Sequence, residues 1–272
     1  MKVSGKPLAD SILNALKLEI AEDQLQAKLA IILANNNSAS RLYVENKLAR
    51  AGEIGIAATL HQFSEDQKDQ VLPLILKLNK TVSGIIIQFP IFVSWDFKEL
   101  SKAVNSKKDV DGFKFDAPFM PATAAAVWEM LTEFARIEGF DKAENFLKGK
   151  NITVLGRGKT AGGPIREMLL TKRFPSNLIH SQTQNPDGII QSSDVIISAT
   201  GKKHIINAQN IKKGAYIIGV GVSKDENSKT VGDLDEEAIA EKAKLFCPTI
   251  GGIGPLTIAC LLRNVVQSAK NS

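Results

Sequence analysis

Apolar positions along the chain recur first at helical and then at strand spacing, and the alternation repeats. In "LADSILNALKLEI" they return every three or four positions, which predicts a helix over 7–22. "KLAIILA" (28–34) is a short apolar run of buried-strand type, followed by the loop "NNNSAS". Ser38 or Ser40 then caps a helix that carries "RLYVENKLAR". "IGIAATL" (54–60) reads as a second strand, and "SEDQ" (64–67) resembles a capping box for a helix that Pro73 must interrupt or kink. "GIIIQ" (84–88) is a third strand, and 96–104 is a further helix. This βαβαβ order implies a parallel sheet with helices on its faces.

After "KKDVDGF" a second run of the same kind begins. A helix near 123–138 leads to the strand "NITVLG" (151–156), then to "GRGKTAGGP" and a helix. The strands "NLIH" (177–180), "DVIISATG" (194–201) and "AYIIGVGV" (215–222) follow. Pro255 suits the first turn of a final helix over about 255–270. The fold class is therefore α/β in two domains: an N-terminal substrate domain, 1–120, and a Rossmann-like nucleotide domain, 121–254. The final helix is expected to return to the first domain.

Composition narrows the function. With 272 residues, 44% hydrophobic and 23% charged, the chain is long enough for two domains and ordinary for a globular protein. The net charge of +5 is dispersed and aromatics are only 6%, which argues against a nucleic-acid partner. The start "MKVSGKPLAD" has no apolar signal core, and no uninterrupted apolar run approaches ~18 residues, so a cytoplasmic protein without a membrane partner is expected. Cys247 and Cys260, with His61, His180 and His204, form no metal-ligand spacing.

The candidate chemistry starts at the glycines. Gly156, Gly158 and Gly162 follow a strand and open a helix, the setting in which backbone approaches a pyrophosphate at a helix N-terminus. Their GxGxxxG spacing is one residue longer than the usual fingerprint. No acid ends the next strand to bind a ribose 2′-hydroxyl; Ser181 stands there, and Arg157 lies in the loop itself. A hydroxyl and a guanidinium suit a 2′-phosphate, so NADP is favoured over NAD. Gln88, at the carboxyl end of a strand, either faces a ligand or merely closes the strand. "DVDG" is either an extended pair with Asp109 and Asp111 on one face or a plain Asp-Gly turn. Tyr43 and Lys47, at i and i+4, share a helix face. They precede the glycine loop, which is the wrong order for the Tyr/Lys pair of short-chain dehydrogenases.

"SASRLYVENKLARAGEIGI", "GIIIQFPI", "KKDVDGF", "LGRGKTAGGP", "SDVIISATGK", "TVGDLD" and "PTIGGIGPLT" occur in the order seen in one family. From about residue 5 onward, the chain resembles the bifunctional methylenetetrahydrofolate dehydrogenase/methenyltetrahydrofolate cyclohydrolases. The resemblance implies NADP-dependent oxidation of 5,10-methylenetetrahydrofolate, hydrolysis of the methenyl product to 10-formyltetrahydrofolate, a place in the one-carbon supply to purine biosynthesis, and a homodimer with folate in the cleft between domains. It also implies that Tyr43 stacks on the folate rings, Lys47 is catalytic, Gln88 bonds beside it and Asp111 holds the pterin. Pro90, Gly254 and Pro255 would line the folate site. Gly156, Arg157, Gly158, Thr160, Ser181, Thr200, Gly201, Val222 and Thr257 would contact the dinucleotide. Hydrolysis needs an amine that is partly neutral, which burial of Lys47 beside uncharged Gln88 would favour. The chain departs from the family at Ala122 and Ala124 (for cysteine and proline), Gly219 (for aspartate), Ser223 (for asparagine) and Ile250 (for proline). These positions fall on the cofactor side and the hinge, which sets a cyclohydrolase with weak dehydrogenase activity beside the bifunctional reading.

Overall fold

The computed structural model describes residues 1–227 and 229–271. The chain divides into two compact units, Asp10–Ala122 with Ile258–Ser272, and Met1–Ala9 with Thr123–Thr257. Residues 1–9, expected in the first domain, therefore fold with the second. Backbone pairing holds them there: Val3 N–H donates to the Phe246 carbonyl at 2.8 Å, and Phe246 N–H to the Met1 carbonyl at 2.9 Å.

In the first unit, helix α1 (Lys6–Glu22), which begins in the other unit, leads to β1 (Lys28–Leu33), α2 (Ser38–Glu53), β2 (Ala57–Gln62), α3 (Lys68–Thr81), β3 (Gly84–Gln88) and α4 (Phe97–Ala103). The strands form a parallel sheet in the order β2-β1-β3. β3 is buried along its whole length and β1 from its second residue on, whereas the edge strand β2 is half exposed. Ala30, Ile32, Ile85 and Ile87 pack into one core with Val71, Ile75 and Leu100 of α3 and α4. Side chains alternate along a strand, so Ile86 and Gln88 face the opposite side.

Three local expectations change. Neither serine caps α2; the Asn37 side chain does, accepting from Ala39 N at 2.8 Å and Ser40 N at 3.2 Å. The second strand starts at Ala57 because residues 54–56 leave α2 through Gly55 at φ +91. The capping box forms between Ser64 and Gln67, but it starts a short 3-10 turn ahead of α3, and α3 continues through Pro73.

The second unit comprises α5 (Ala122–Ile137), α6 (Ala143–Leu147), β4 (Ile152–Leu155), α7 (Gly162–Thr171), β5 (Ser176–Ile179), α8 (Pro186–Ser192), β6 (Val195–Ser198), β7 (Tyr216–Gly219), β8 (Val222–Lys224), β9 (Thr230–Gly232), α9 (Glu236–Ile239), β10 (Leu245–Cys247) and the start of α10 (Gly254–Lys270). Five strands make a parallel sheet in the order β10-β7-β6-β4-β5, and β8 pairs with β9 antiparallel. The single strand expected over 215–222 is thus two. Val220 and Gly221 both donate to the Ser198 carbonyl, at 2.8 and 3.1 Å, which turns the chain out of the sheet after Gly219.

From Ile258 onward, α10 belongs to the first unit. Lys270 pairs with Glu19 and Asp23 of α1, each at 2.6 Å, and Ser268 Oγ lies 2.6 Å from the Ser83 carbonyl. Thr249–Lys270 is long and apolar enough to cross a membrane, yet 72% of its most apolar window is buried inside the protein, as in a core helix.

Candidate functional site

The first unit gathers a polar centre at the carboxyl end of β3. α2 presents Tyr43 and Lys47 one turn apart, and the pleat of β3 turns Gln88 away from the Ile85/Ile87 core. Lys47 is 3% exposed, yet it carries an amine. Its Nζ donates to Gln88 Oε1 at 3.0 Å and lies 4.8 Å from the centroid of the Tyr43 ring. Gln88 Nε2 donates to the Phe89 carbonyl at 2.9 Å, so the oxygen of its amide is the end that faces Lys47. Phe89–Pro90 is a cis peptide; Pro90 is exposed, and its carbonyl accepts from Asn35 Nδ2 at 2.5 Å.

"DVDG" resolves as a turn with its two acids in different roles. Asp109 accepts from Gly112 N at 3.2 Å and Lys114 N at 2.7 Å, so it shapes the turn. Gly112 has φ +72, and a Cβ there would stand 2.8 Å from the Phe119 carbonyl oxygen, so the turn requires glycine. Asn264 of α10 donates to the carbonyls of Val110 at 2.9 Å and Met120 at 3.1 Å, which clamps the residue before Asp111 to the far end of the segment that follows it.

Electrostatics at this centre run against ordinary ionisation. Burial pushes the Lys47 amine below the usual lysine value, while Asp111 nearby opposes that shift. Burial pushes the Asp111 carboxyl upward, and Lys47 opposes in turn. Asp109 is raised to about 6, chiefly by burial. Tyr43, Lys47, Gln88 and Asp111 thus form one constellation in which the amine is biased toward its neutral form.

The second unit presents a different surface, at the carboxyl ends of β4, β5, β6 and β7. Gly156 leaves β4 at φ +98, and a Cβ there would stand 2.3 Å from the Ala199 carbonyl oxygen. A Cβ on Gly162, at the start of α7, would stand 2.1 Å from the Gly156 carbonyl oxygen. Gly158 is exposed, with open space where its Cβ would be. The first two glycines let strand, loop and helix close up, and the third leaves room for a ligand. Exposed Arg157 and half-buried Thr160 flank Gly158 in sequence and exposed Ser181 follows β5, with no acid in 156–165 or 180–183. The residues present therefore fit a dinucleotide.

Thr200 and Gly201 follow β6, and both Thr200 N and Oγ1 donate to Asp233, at 2.7 and 3.0 Å. Val222 is exposed at the start of β8. Gly254, Pro255 and Thr257 lie on the first turn of α10 and so belong to this unit, which divides the expected folate-side residues between units. Thr257 is buried, and its hydroxyl donates to the Ile253 carbonyl one turn back.

Of the departing positions, Gly219 has a local explanation, and nothing in the structure explains Ala122, Ala124, Ser223 or Ile250. Ala122 and Ala124 are buried in α5, and Ile250 is exposed in the bend before α10. Any Cβ at Gly219 would stand 2.4 Å from Thr249 Oγ1, so Thr249 occupies the space that a larger residue 219 would take. Sequence reading missed Asn37, Asn264 and Asp233. Asn37 lay in the quoted loop "NNNSAS" and Asp233 in "TVGDLD", and local patterning showed no partner for Asp233.

Two family models match: the tetrahydrofolate dehydrogenase/cyclohydrolase catalytic domain over residues 3–111, and the NAD(P)-binding domain of the same family over 121–272. The chain is 35% identical to the bifunctional protein FolD of Acetivibrio thermocellus, over 98% of this chain and 96% of that one. Its fold matches the bifunctional methylenetetrahydrofolate dehydrogenase/cyclohydrolase of Campylobacter jejuni with a TM-score of 0.90 at 30% identity, covering 100% of this chain and 99% of that one. It also matches a 5,10-methylenetetrahydrofolate dehydrogenase of the silkworm Bombyx mori, with a TM-score of 0.86 at 32% identity over 98% and 97% of the two chains.

Proposed function

Because the chain belongs to the tetrahydrofolate dehydrogenase/cyclohydrolase family, we propose that it carries out both reactions of that family with NADP as oxidant. It oxidises 5,10-methylenetetrahydrofolate to the 5,10-methenyl form and hydrolyses that to 10-formyltetrahydrofolate. The observation that carries the reading is the buried Lys47 amine, held on Gln88 Oε1 and biased toward neutrality.

NADP, when bound, would supply the acceptor for the hydride that leaves the one-carbon bridge. For that step the protein's task is alignment, since positive charge spreads over the two flanking nitrogens and no proton has to move. Tyr43 offers a ring for the flat pterin to stack on, and Asp111 offers a carboxyl to its polar edge. Within the same unit, Pro90 completes the folate contacts.

Hydrolysis asks more of the side chains. Water must lose a proton as its oxygen bonds to the methenyl carbon, and a lysine takes that proton only when its amine is neutral. Burial supplies the neutral fraction, and Gln88 fixes the Nζ without adding a negative charge that would reverse it. Lys47 is thus the general base, and Tyr43 and Gln88 hold it in place.

Arg157, Ser181 and the missing acid after β5 support NADP over NAD. Assembly as a homodimer and a cytoplasmic location belong to the same reading; two buried free thiols support a reducing compartment. The test is the absorbance of methenyltetrahydrofolate forming and decaying, with NADP and NAD in parallel. Efficiency with NADP at least ~10-fold above that with NAD, equivalent to ~1.4 kcal/mol, is expected. Equal efficiency would remove the cofactor assignment, and no turnover of either folate would remove the function.

A further inference from the structure

Asp233 is completely buried, and no salt bridge to it is found among the described residues. Its charge is met instead by four hydrogen bonds from one short segment. Oδ2 accepts from Ser198 Oγ at 2.6 Å, Thr200 N at 2.7 Å and Thr200 Oγ1 at 3.0 Å. Oδ1 accepts from Lys202 N at 2.9 Å. The backbone on either side is pinned as well: Asp233 N–H donates to the Gly221 carbonyl at 3.1 Å, and Ile206 N–H to the Asp233 carbonyl at 3.0 Å. A Cβ on Gly221 would stand 2.4 Å from Asp233 Oδ2 and 2.5 Å from Gly201 N, so glycine there is what lets the carboxylate in.

The four donors belong to residues 198–202, the turn at the carboxyl end of β6 that carries Thr200 and Gly201. Such a turn has no regular secondary structure to hold its amides, and in open parallel sheets ligands sit beyond this end of the strands. We propose that Asp233 is a positioning residue for the dinucleotide: it holds the 199–202 backbone in its binding shape and so sets cofactor affinity, without itself touching the ligand. A carboxylate can accept at both oxygens at once, whereas an amide must point two donors into a shell made of donors. Asp233 therefore acts on the redox half of the enzyme. Hydrolysis, whose base is Lys47 in the other unit and which uses no dinucleotide, does not depend on it.

The proposal rests on the dinucleotide reading of this unit, and the experiment separates the two. NADP binding is measured by calorimetric titration on the full-length wild type, Asp233→Asn and Ser198→Ala, the last removing one buried donor that faces the carboxylate. Cyclohydrolase rate on methenyltetrahydrofolate without cofactor, and hydrogen exchange of the Thr200 and Lys202 amides, are read on the same samples. Asp233→Asn is expected to weaken NADP binding by about 10-fold or more, as for loss of a hydrogen bond to a charged group, and to speed exchange at both amides. Ser198→Ala should move both in the same direction by a smaller factor, and hydrolysis should stay within about twofold in either variant. Should Asp233→Asn fail to fold, Ser198→Ala decides alone. Unchanged affinity and exchange, or a fall in hydrolysis matching the fall in affinity, would overturn the proposal. A wild type that binds no NADP would instead overturn the dinucleotide reading.

Discussion

Around Lys47 three side chains converge, whereas at the end of β4 the protein works by leaving side chains out. The first region takes an amine out of water and holds it with one amide oxygen and one ring. The second brings backbone to within the reach of backbone, with close approaches at Gly156 and Gly162 that no Cβ permits. A centre of the first kind fails when a functional group is lost. One of the second kind fails when atoms are added. The two activities should therefore separate under mutation, each responding to the opposite kind of change.

The largest separation is expected at Lys47. Lys47→Met keeps much of the apolar stem and removes the amine, so the α2 packing survives. Hydrolysis should fall by about 10²-fold or more, as for loss of a general base, while dehydrogenation persists and methenyltetrahydrofolate accumulates. The ratio of the two rates in that one variant is the measurement; an equal fall in a folded protein would make Lys47 a binding residue. In the parent, hydrolysis should rise with pH to a plateau, with a midpoint below the ordinary lysine value because burial lowers it. Stability has a definite sign here too. Between the lowered folded value and the ordinary unfolded one, the unfolded state binds more protons, so stability rises with pH through that window. Lys47→Met should abolish that rise, as chemical denaturation over a pH series can record.

Adding a methyl group breaks the other region. Gly156→Ala combines a positive φ with a 2.3 Å approach to the Ala199 carbonyl oxygen, and should cost about 1–3 kcal/mol of stability together with NADP binding. Gly158→Ala meets nothing within 4 Å, so its thermal midpoint should stay put. A raised NADP KM in Gly158→Ala at unchanged stability would mark the space above that residue as the ligand's. An unchanged KM would mean that only the closures at 156 and 162 matter. Hydrolysis should survive Gly158→Ala.

The smallest effect on the two rates is expected at the clamp on the Asp111 turn. Asn264→Ala leaves the Val110 and Met120 carbonyls without their donor and should cost about 1–3 kcal/mol. Because it loosens the loop that carries Asp111 and leaves Lys47 alone, it should raise KM for both folates more than it lowers kcat. A pure kcat effect would remove the role assigned to Asp111.

Legibility from sequence follows the same contrast. Apolar runs marked β1, β3 and β4 because buried parallel strands need few polar positions, and the glycine loop was readable because missing side chains are themselves a pattern. Tyr43 and Lys47 were readable as a pair, since helical spacing alone puts them on one face. What sequence patterning could not supply were partners far apart along the chain: Gln88 for Lys47, Asn264 for the Asp111 turn, and Asp233 for the turn after β6. β8, β9 and β10 are three residues each, too short for any periodicity to register. Ser38 and Ser40 gave way to Asn37 because all three can cap a helix, and only the incoming backbone chooses among them.

The division of the first unit into Asp10–Ala122 and Ile258–Ser272 has a consequence for how the enzyme is made. When Ala122 leaves the ribosome, the strands bearing Gln88 and the helix bearing Lys47 are complete, but Asn264, Ser268 and Lys270 do not yet exist. Translation must first pass through Thr123–Thr257, which at roughly 5–20 residues per second takes about 7–27 s. During that interval the Asp111 turn has no clamp, and the face that α10 will cover is open to chaperones. The dinucleotide unit is finished first, so in a newly made chain the capacity to bind cofactor precedes the capacity to hydrolyse.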